Sequence, residues 1–420
     1  MSGGLSQPLS RRRVLQAGSG LALAVAGVPR VLAAPDCEAR ADWTPPHWFM
    51  EDLPRQMQAL GVPAVGIAVV EGGQVGWSRV LGVTHALQAT PADAGTLFEV
   101  ASLSKPVFAY AVLQLVDRGQ LDLDRPLVEY ARPDYLGRHP WVEQVTARDV
   151  LRHSSGMPNW RKDPANEPLL PGVEPGRRID YSGEAFMWLQ LAVEAITGES
   201  LDATMRRLLF APARMAGASY AWSAAIASAS VYGHGTPEES REGMPRQMLR
   251  EQWSAAQSVA DAWGKPLAQW RYADAGRALE QVQAATPEGL VNWPGDILAN
   301  SAASLRCTAR DYARFMALMV GPRRADWELR PATRALMLDK QIDVPGRWTD
   351  KTLGFNLEAT RIGPVIYHSG SNGNIFKAFA LGDAARGRAL VVLTNATNGN
   401  LLYRRLVRAA TGLDLLAFDV

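Results

Sequence analysis

The chain has 420 residues, of which 47% are hydrophobic and 20% charged, a balance that suits a globular protein with a sizeable core and excludes a disordered or low-complexity one. Its formal charge of +2 is a property of its start: the first 34 residues hold Arg11, Arg12, Arg13 and Arg30 and no acid. Without them, 40 basic residues face 42 acidic ones. A near-neutral body gives no reason to expect nucleic acid or an anionic membrane surface as partner.

At the N-terminus, Ser10-Arg11-Arg12-Arg13-Val14-Leu15-Gln16 precedes a mildly apolar stretch, Ala17 to Val28, and then small residues at Ala33-Ala34 suited to a signal peptidase. This resembles a twin-arginine export signal, with Val14 and Gln16 in place of the usual Phe and Lys. Residues 1–34 are therefore expected to be a signal peptide, and residues 35–420 a periplasmic domain with no membrane span, since the apolar run falls short of about 20 residues. Cys37 and Cys307 both follow the expected cut. An oxidising compartment allows them one pairing; the reading favours two unpaired thiols and leaves the disulfide open. Neither cysteine nor any of the six scattered histidines has metal-ligand spacing, so no metal and no cofactor is expected.

Trp43 to Leu60 reads as a helix broken by Pro54 and ended by Gly61. Ala64 to Val70, a Glu71-Gly72-Gly73-Gln74 turn and Val75 to Val83 form a hairpin pattern. Leu103 to Arg118 has helical periodicity and stops at Gly119. From about residue 121 to 340 the pattern is helix and loop, proline-rich at first, with a clear helix over Phe186 to Thr197 closed by Gly198. Residues 236–292 carry Trp253, Trp263 and Trp270 as core anchors and are a possible source of pocket walls. Strands return at Pro364–His368, Ile375–Leu381 and Ala389–Thr394, followed by an amphipathic helix over Leu401–Ala410. This is an α+β layout: an antiparallel sheet built from both termini (about 45–120 and 341–420), flanked by helices, with a mostly helical insertion over about 121–340.

Three local patterns carry chemistry. Ser102-Leu103-Ser104-Lys105 places a hydroxyl and an amine one helical turn apart at a predicted helix start, where the helix dipole also favours a developing anion. Alone, S-x-x-K reads sooner as a helix cap with a solvated lysine. Tyr181 sits at the entry to the Phe186 helix, where a neighbouring Lys105 cation would favour its phenolate and so make it a base. His368-Ser369-Gly370-Ser371 ends an apolar run, with small residues that let a strand edge approach a substrate; the backbone N–H of Ser371 with that of Ser102 would form an oxyanion hole.

In this order the three resemble the serine β-lactamases of class C, the D-alanyl-D-alanine peptidases and the β-lactamase-like esterases. Leu151 to Pro158, Asn300 to Leu305 with Thr308 to Phe315, and Thr394 to Asn400 are similar to further family segments, so the resemblance runs from about residue 45 to 415. It implies a β-lactamase/transpeptidase-like fold, Ser102 as nucleophile, Lys105 as its partner and Tyr181 as general base. It also implies a small-molecule or peptide substrate in a cleft beside the sheet. Two departures stand out. Gly183 replaces the usual Asn, and His368 replaces a lysine, removing an amide and a permanent cation. Both point away from an efficient β-lactamase toward ester or amide hydrolysis. The alternatives are a D-alanyl-D-alanine carboxypeptidase or weak β-lactamase, and a non-catalytic binder of cell-wall fragments or penicillin. Natural substrate and oligomeric state are not legible in the sequence.

Overall fold

The computed structural model describes residues 42–236, 246–247, 250–342 and 349–418. The expected signal peptide, Cys37 and part of the 236–292 stretch lie outside them. An eight-stranded antiparallel sheet takes strands from both ends of the chain: β1 (Ala64–Glu71), β2 (Gln74–His85) and β3 (Thr90–Pro91), then β6 (Asp350–Lys351), β7 (Asn356–Thr360), β8 (Gly363–Asn372), β9 (Phe376–Asp383) and β10 (Arg388–Thr394). Its order is β3-β2-β1-β10-β9-β8-β7-β6, so the last strand pairs with the first. A two-residue ribbon joins β4 (Phe98–Glu99) to β5 (Arg306–Cys307), and Cys307 is a buried free thiol.

Among the described residues seven helices have a dozen residues or more: α1 (His47–Leu60), α2 (Ser104–Asp117), α3 (Gly183–Thr197), α4 (Arg250–Trp263), α5 (Tyr272–Ala284), α6 (Ala309–Val320) and α7 (Gly399–Thr411); α6 and α7 pack on the sheet, α1 packs beside α7, and α4 packs on α5. Strand β1 shows why the sheet is central. Val65, Ile67 and Val69 enter one apolar cluster with Phe49 and Leu53 of α1 and Leu402 and Leu406 of α7. Ala68 and Val70 point the other way, into the larger core that holds Phe315 and Met316 of α6. Side chains alternate across a strand, so a strand covered on both faces reads as continuously apolar.

The structure revises several expected boundaries. Helix α1 starts at His47 and runs unbroken through Pro54. Strand β8 extends to Asn372, past the expected end at His368. The short strands β6 and β7 were not visible in the sequence, because polar residues at a sheet edge lack the apolar alternation that marks a strand. Trp253 and Trp270 are buried, whereas Trp263 is only partly so and stacks on Trp270 at 5.4 Å. Among the described residues no helix is long and apolar enough to cross a membrane.

Candidate active site

Ser102 lies in a 3-10 turn, Ala101–Leu103, that leads directly into α2. The residue before it, Ala101, is buried with φ of +51°. That left-handed conformation costs a non-glycine residue about 1–2 kcal/mol and is typical of strain held at a functional turn. The turn is pinned from several sides. The Ser104 hydroxyl donates to Ala101 O (2.6 Å) and accepts from Leu305 N (3.1 Å), while Tyr312 donates to Leu103 O (3.0 Å).

Lys105 is almost wholly buried, and its Nζ donates to Ala302 O at 2.9 Å and sits 3.4 Å from Ser102 Oγ. The Ala302 carbonyl is itself held. Gln190 of α3 accepts from Ser301 N and donates to Ala299 O, and the Ser301 hydroxyl donates to Phe186 O. Burial, reinforced by the nearby Lys351, drives the Lys105 amine well below its ordinary value.

Tyr181 is brought to Ser102 and Lys105, with the Lys105 Nζ 4.5 Å from its ring centre. Its local frame comes from His153, whose ring stacks on the Tyr181 ring at 4.3 Å and whose Nδ1 accepts from Ser182 N at 3.3 Å. The His153 carbonyl accepts from Asp180 N at 2.7 Å, so this one residue, at φ +59°, grips the chain on both sides of Tyr181. Ser182 then caps α3 through Ala185 N. The expectation that Lys105 would favour the phenolate does not hold. Burial pushes the Tyr181 phenol up, and the nearby Ser102 hydroxyl opposes this only weakly. The phenol oxygen makes no hydrogen bond of ordinary geometry. The dominant cause is the loss of water around the phenol, which disfavours the charged phenolate.

The strand-side wall is the edge of β8. Pairing with β7 ends at Tyr367, leaving His368 to Asn372 beyond that partner and beside the Ser102 turn. Gly370 is needed there because a Cβ would come 2.4 Å from Val100 O and 3.1 Å from Ser102 N. Ser369, Gly370 and Ser371 line a cavity of about 480 Å³ together with Ser102, Lys105 and Tyr181. His368 is buried, its Nδ1 donates to Ser369 O at 2.7 Å, and burial with the charges of Lys351 and Lys105 pushes it down to about 3.

The opposite wall contains what the sequence reading missed. Asn159 and Trp160 line the cavity and pack on Gly183. Lys351 and Lys377 line it too, so the site is not without cations. Nothing local marks these residues, because they come from loops and strands far apart in the chain. Among the described residues, none from 236–292 contributes to the lining, contrary to the expectation for that stretch.

A serine at a helix start with a buried amine beside it, in a cleft against an antiparallel sheet edge, is an arrangement that serine hydrolases of the β-lactamase and transpeptidase type use. A family model described as Beta-lactamase matches residues 50–412, and the chain belongs to that family. It is 30% identical over 175 residues to Esterase EstB of Burkholderia gladioli, covering 41% of this chain and 40% of that one. Against Penicillin-binding protein 4* of Bacillus subtilis (strain 168) it is 27% identical over 168 residues, 36% of each chain. The chain thus matches well under half the length of these curated relatives. The solved structure of the D-alanine carboxypeptidase AmpC from Burkholderia cenocepacia shares the fold, with a TM-score of 0.62 at 17% identity, covering 86% of this chain and 98% of that one. The octameric penicillin-binding protein homologue from Pyrococcus abyssi is similar, with a TM-score of 0.61 at 17% identity, over 84% of this chain and 73% of that one.

Proposed function

We propose that this protein is an exported serine hydrolase that cleaves an ester or amide through an acyl-enzyme on Ser102. The observation that carries the reading is the buried Lys105 amine 3.4 Å from the Ser102 hydroxyl, its affinity for a proton lowered by that burial. A neutral amine has a lone pair, so as Ser102 Oγ bonds to the substrate carbonyl carbon its proton passes to Lys105 Nζ. The carbonyl oxygen takes the electron pair and is held by backbone N–H groups of the Ser102 turn and the β8 edge. Collapse expels the alcohol or amine, which receives a proton from Lys105, with the protonated Tyr181 hydroxyl as the relay. Water then attacks the acyl carbon and gives a proton to the same pair, which passes it to Ser102 Oγ as the bond to the acyl carbon breaks, freeing the acid.

Similarity to an esterase supports esters as substrates. A second reading is favoured by Lys351 and Lys377 in the cavity: their charge suits a substrate carboxylate, as a carboxypeptidase requires. Intact-protein mass spectrometry after exposure to small esters, D-amino-acid peptides and β-lactams separates the two. An adduct equal to the acyl part, absent in Ser102→Ala, is expected from esters; adducts from peptides alone would favour the second reading, and adducts on Ser102→Ala would remove Ser102 from its role. The twin-arginine-like start supports export to the periplasm. Changing Arg11 and Arg12 to Lys should trap the precursor inside the cell, and normal export of that variant would remove the twin-arginine reading.

A further inference from the structure

Trp160 is a large aromatic residue that remains 45% exposed while lining the cavity beside Ser102 and Tyr181. Its exposure is not that of a loose loop. On one side of it, Asn159 accepts through its backbone oxygen from Gly183 N (3.1 Å) and Glu184 N (3.0 Å), and through its side chain from Gly183 N (2.9 Å). On the other side, Arg161 donates from its backbone to Glu184 Oε1 (2.9 Å) and from its guanidinium to both carboxylate oxygens (3.0 Å each). That ion pair is buried, and the guanidinium lies against the rings of Tyr135 and Trp293. An indole flanked by anchors this firm, nearly half exposed and lining the cavity, is built to meet something.

Gly183 shows how the indole is seated. Its φ is not in the left-handed region, so backbone freedom does not explain the glycine. A Cβ there would lie 2.3 Å from Trp160 Cζ2 and 2.6 Å from Cη2. The missing side chain is the space that the indole occupies.

We infer that Trp160, seated on Gly183, is a specificity platform that stacks a planar apolar group, aryl or heteroaryl, carried by the substrate on either side of the scissile bond. Loss of a side chain at position 183 and gain of an indole replace a polar contact by an aromatic face. Aromatic pairs contribute through both buried area and ring geometry, and a flat substituent gains from both. The inference rests on Ser102 acting as the nucleophile of the same cavity.

The test compares ratios, which cancels intrinsic reactivity. One series keeps the leaving group and varies the acyl part: 4-nitrophenyl phenylacetate against 4-nitrophenyl acetate. The other keeps the acyl part and varies the alcohol: phenyl acetate against ethyl acetate. In at least one series, Trp160→Ala should lower the aryl-to-alkyl ratio of kcat/KM by roughly 3- to 10-fold, the scale of one aromatic contact. Gly183→Ala should act in the same direction by displacing the indole, and Trp160→Phe should retain most of the ratio. Unchanged ratios in both series for Trp160→Ala overturn the platform. Binding is read separately on Ser102→Ala, which cannot be acylated. There phenylacetamide should bind more tightly than acetamide, and adding Trp160→Ala should erase the difference; an undiminished difference overturns the platform. If the wild type cleaves neither series, the proposed ester hydrolysis falls, and this binding comparison alone decides the platform.

Discussion

The two walls of the cavity are built by opposite means. The strand side is positioned by backbone: β8 is held in register by β9 from Ile366 to Asn372, and Gly370 lets it press against the Ser102 turn. The loop side is positioned by side chains. His153 stacks on Tyr181, Asn159 binds the start of α3, and Arg161 pairs with Glu184 out of water. A sheet ladder keeps its geometry whatever side chains it carries, whereas a wall made of ion pairs and stacked rings stands or falls with single residues. Gly370 apart, sequence change is therefore expected to be tolerated on the first wall and costly on the second.

The largest effect tests where the loop wall meets the chemistry. Lys105→Ala and Tyr181→Phe should each lower kcat/KM by about 10²–10⁴, the usual contribution of a positioned acid–base group. Tyr181→Phe keeps the ring that stacks on His153, so its thermal midpoint should barely move. Steady-state kinetics alongside a melting curve separate loss of chemistry from loss of fold.

Next comes the clamp itself. Arg161→Met leaves Glu184 buried without its partner and should destabilise the protein by about 3–5 kcal/mol in denaturant unfolding. Ser369→Ala on the strand wall should change stability by no more than about 0.5 kcal/mol. Equal costs at the two positions would break the comparison.

A smaller, pH-dependent effect comes from the same helix. Glu194 of α3 is buried, accepting from Gln190 Nε2 at 3.1 Å and from Tyr272 N at 3.2 Å, and burial raises its carboxyl from 4.5 to about 7. The folded state then holds this proton more tightly than the unfolded one. The stability it contributes is present below pH 4.5 and is lost as pH rises toward 7, by up to about 3 kcal/mol in all. Glu194→Gln cannot titrate, so its stability measured between pH 4.5 and 7 should lack that slope.

The smallest expected effect is a shift that does not occur. Activity should rise with pH as Lys105 loses its proton, at a pH well below the 10.5 of free lysine. His368, held near 3, takes no part in that limb, so His368→Gln should leave its midpoint in place between pH 5 and 9. A displaced limb in this variant would show that His368 titrates with the chemistry after all.

Much of this was legible in the residue order. The continuously apolar runs of Ala64 to Val70 and Ala389 to Thr394 marked paired strands, because a strand covered on both faces is apolar at nearly every position. Ser182 and Gly198 bracket α3 as cap residues do, so its limits were nearly readable. The spacing from Ser102 to Lys105 set one helical turn between hydroxyl and amine, a local relation that follows from helix geometry. What a segment does within a few residues of itself was determined by sequence alone.

Only the tertiary structure decided how these groups are charged and what stands around them. Lys105, Tyr181 and His368 are shifted chiefly by desolvation among residues distant in the chain, and Lys351, remote from all three motifs, adds to the effect on both Lys105 and His368. Gly183 read as a missing Asn, and its cause is the indole of Trp160. Pro54 read as a break, yet α1 continues through it, its buried residues Phe49, Leu53 and Met57 lying in the cluster under the sheet. Burial is a sum over neighbours that the fold assembles, so pKa, cavity shape and tolerance of a broken rule appear only once those neighbours are in place.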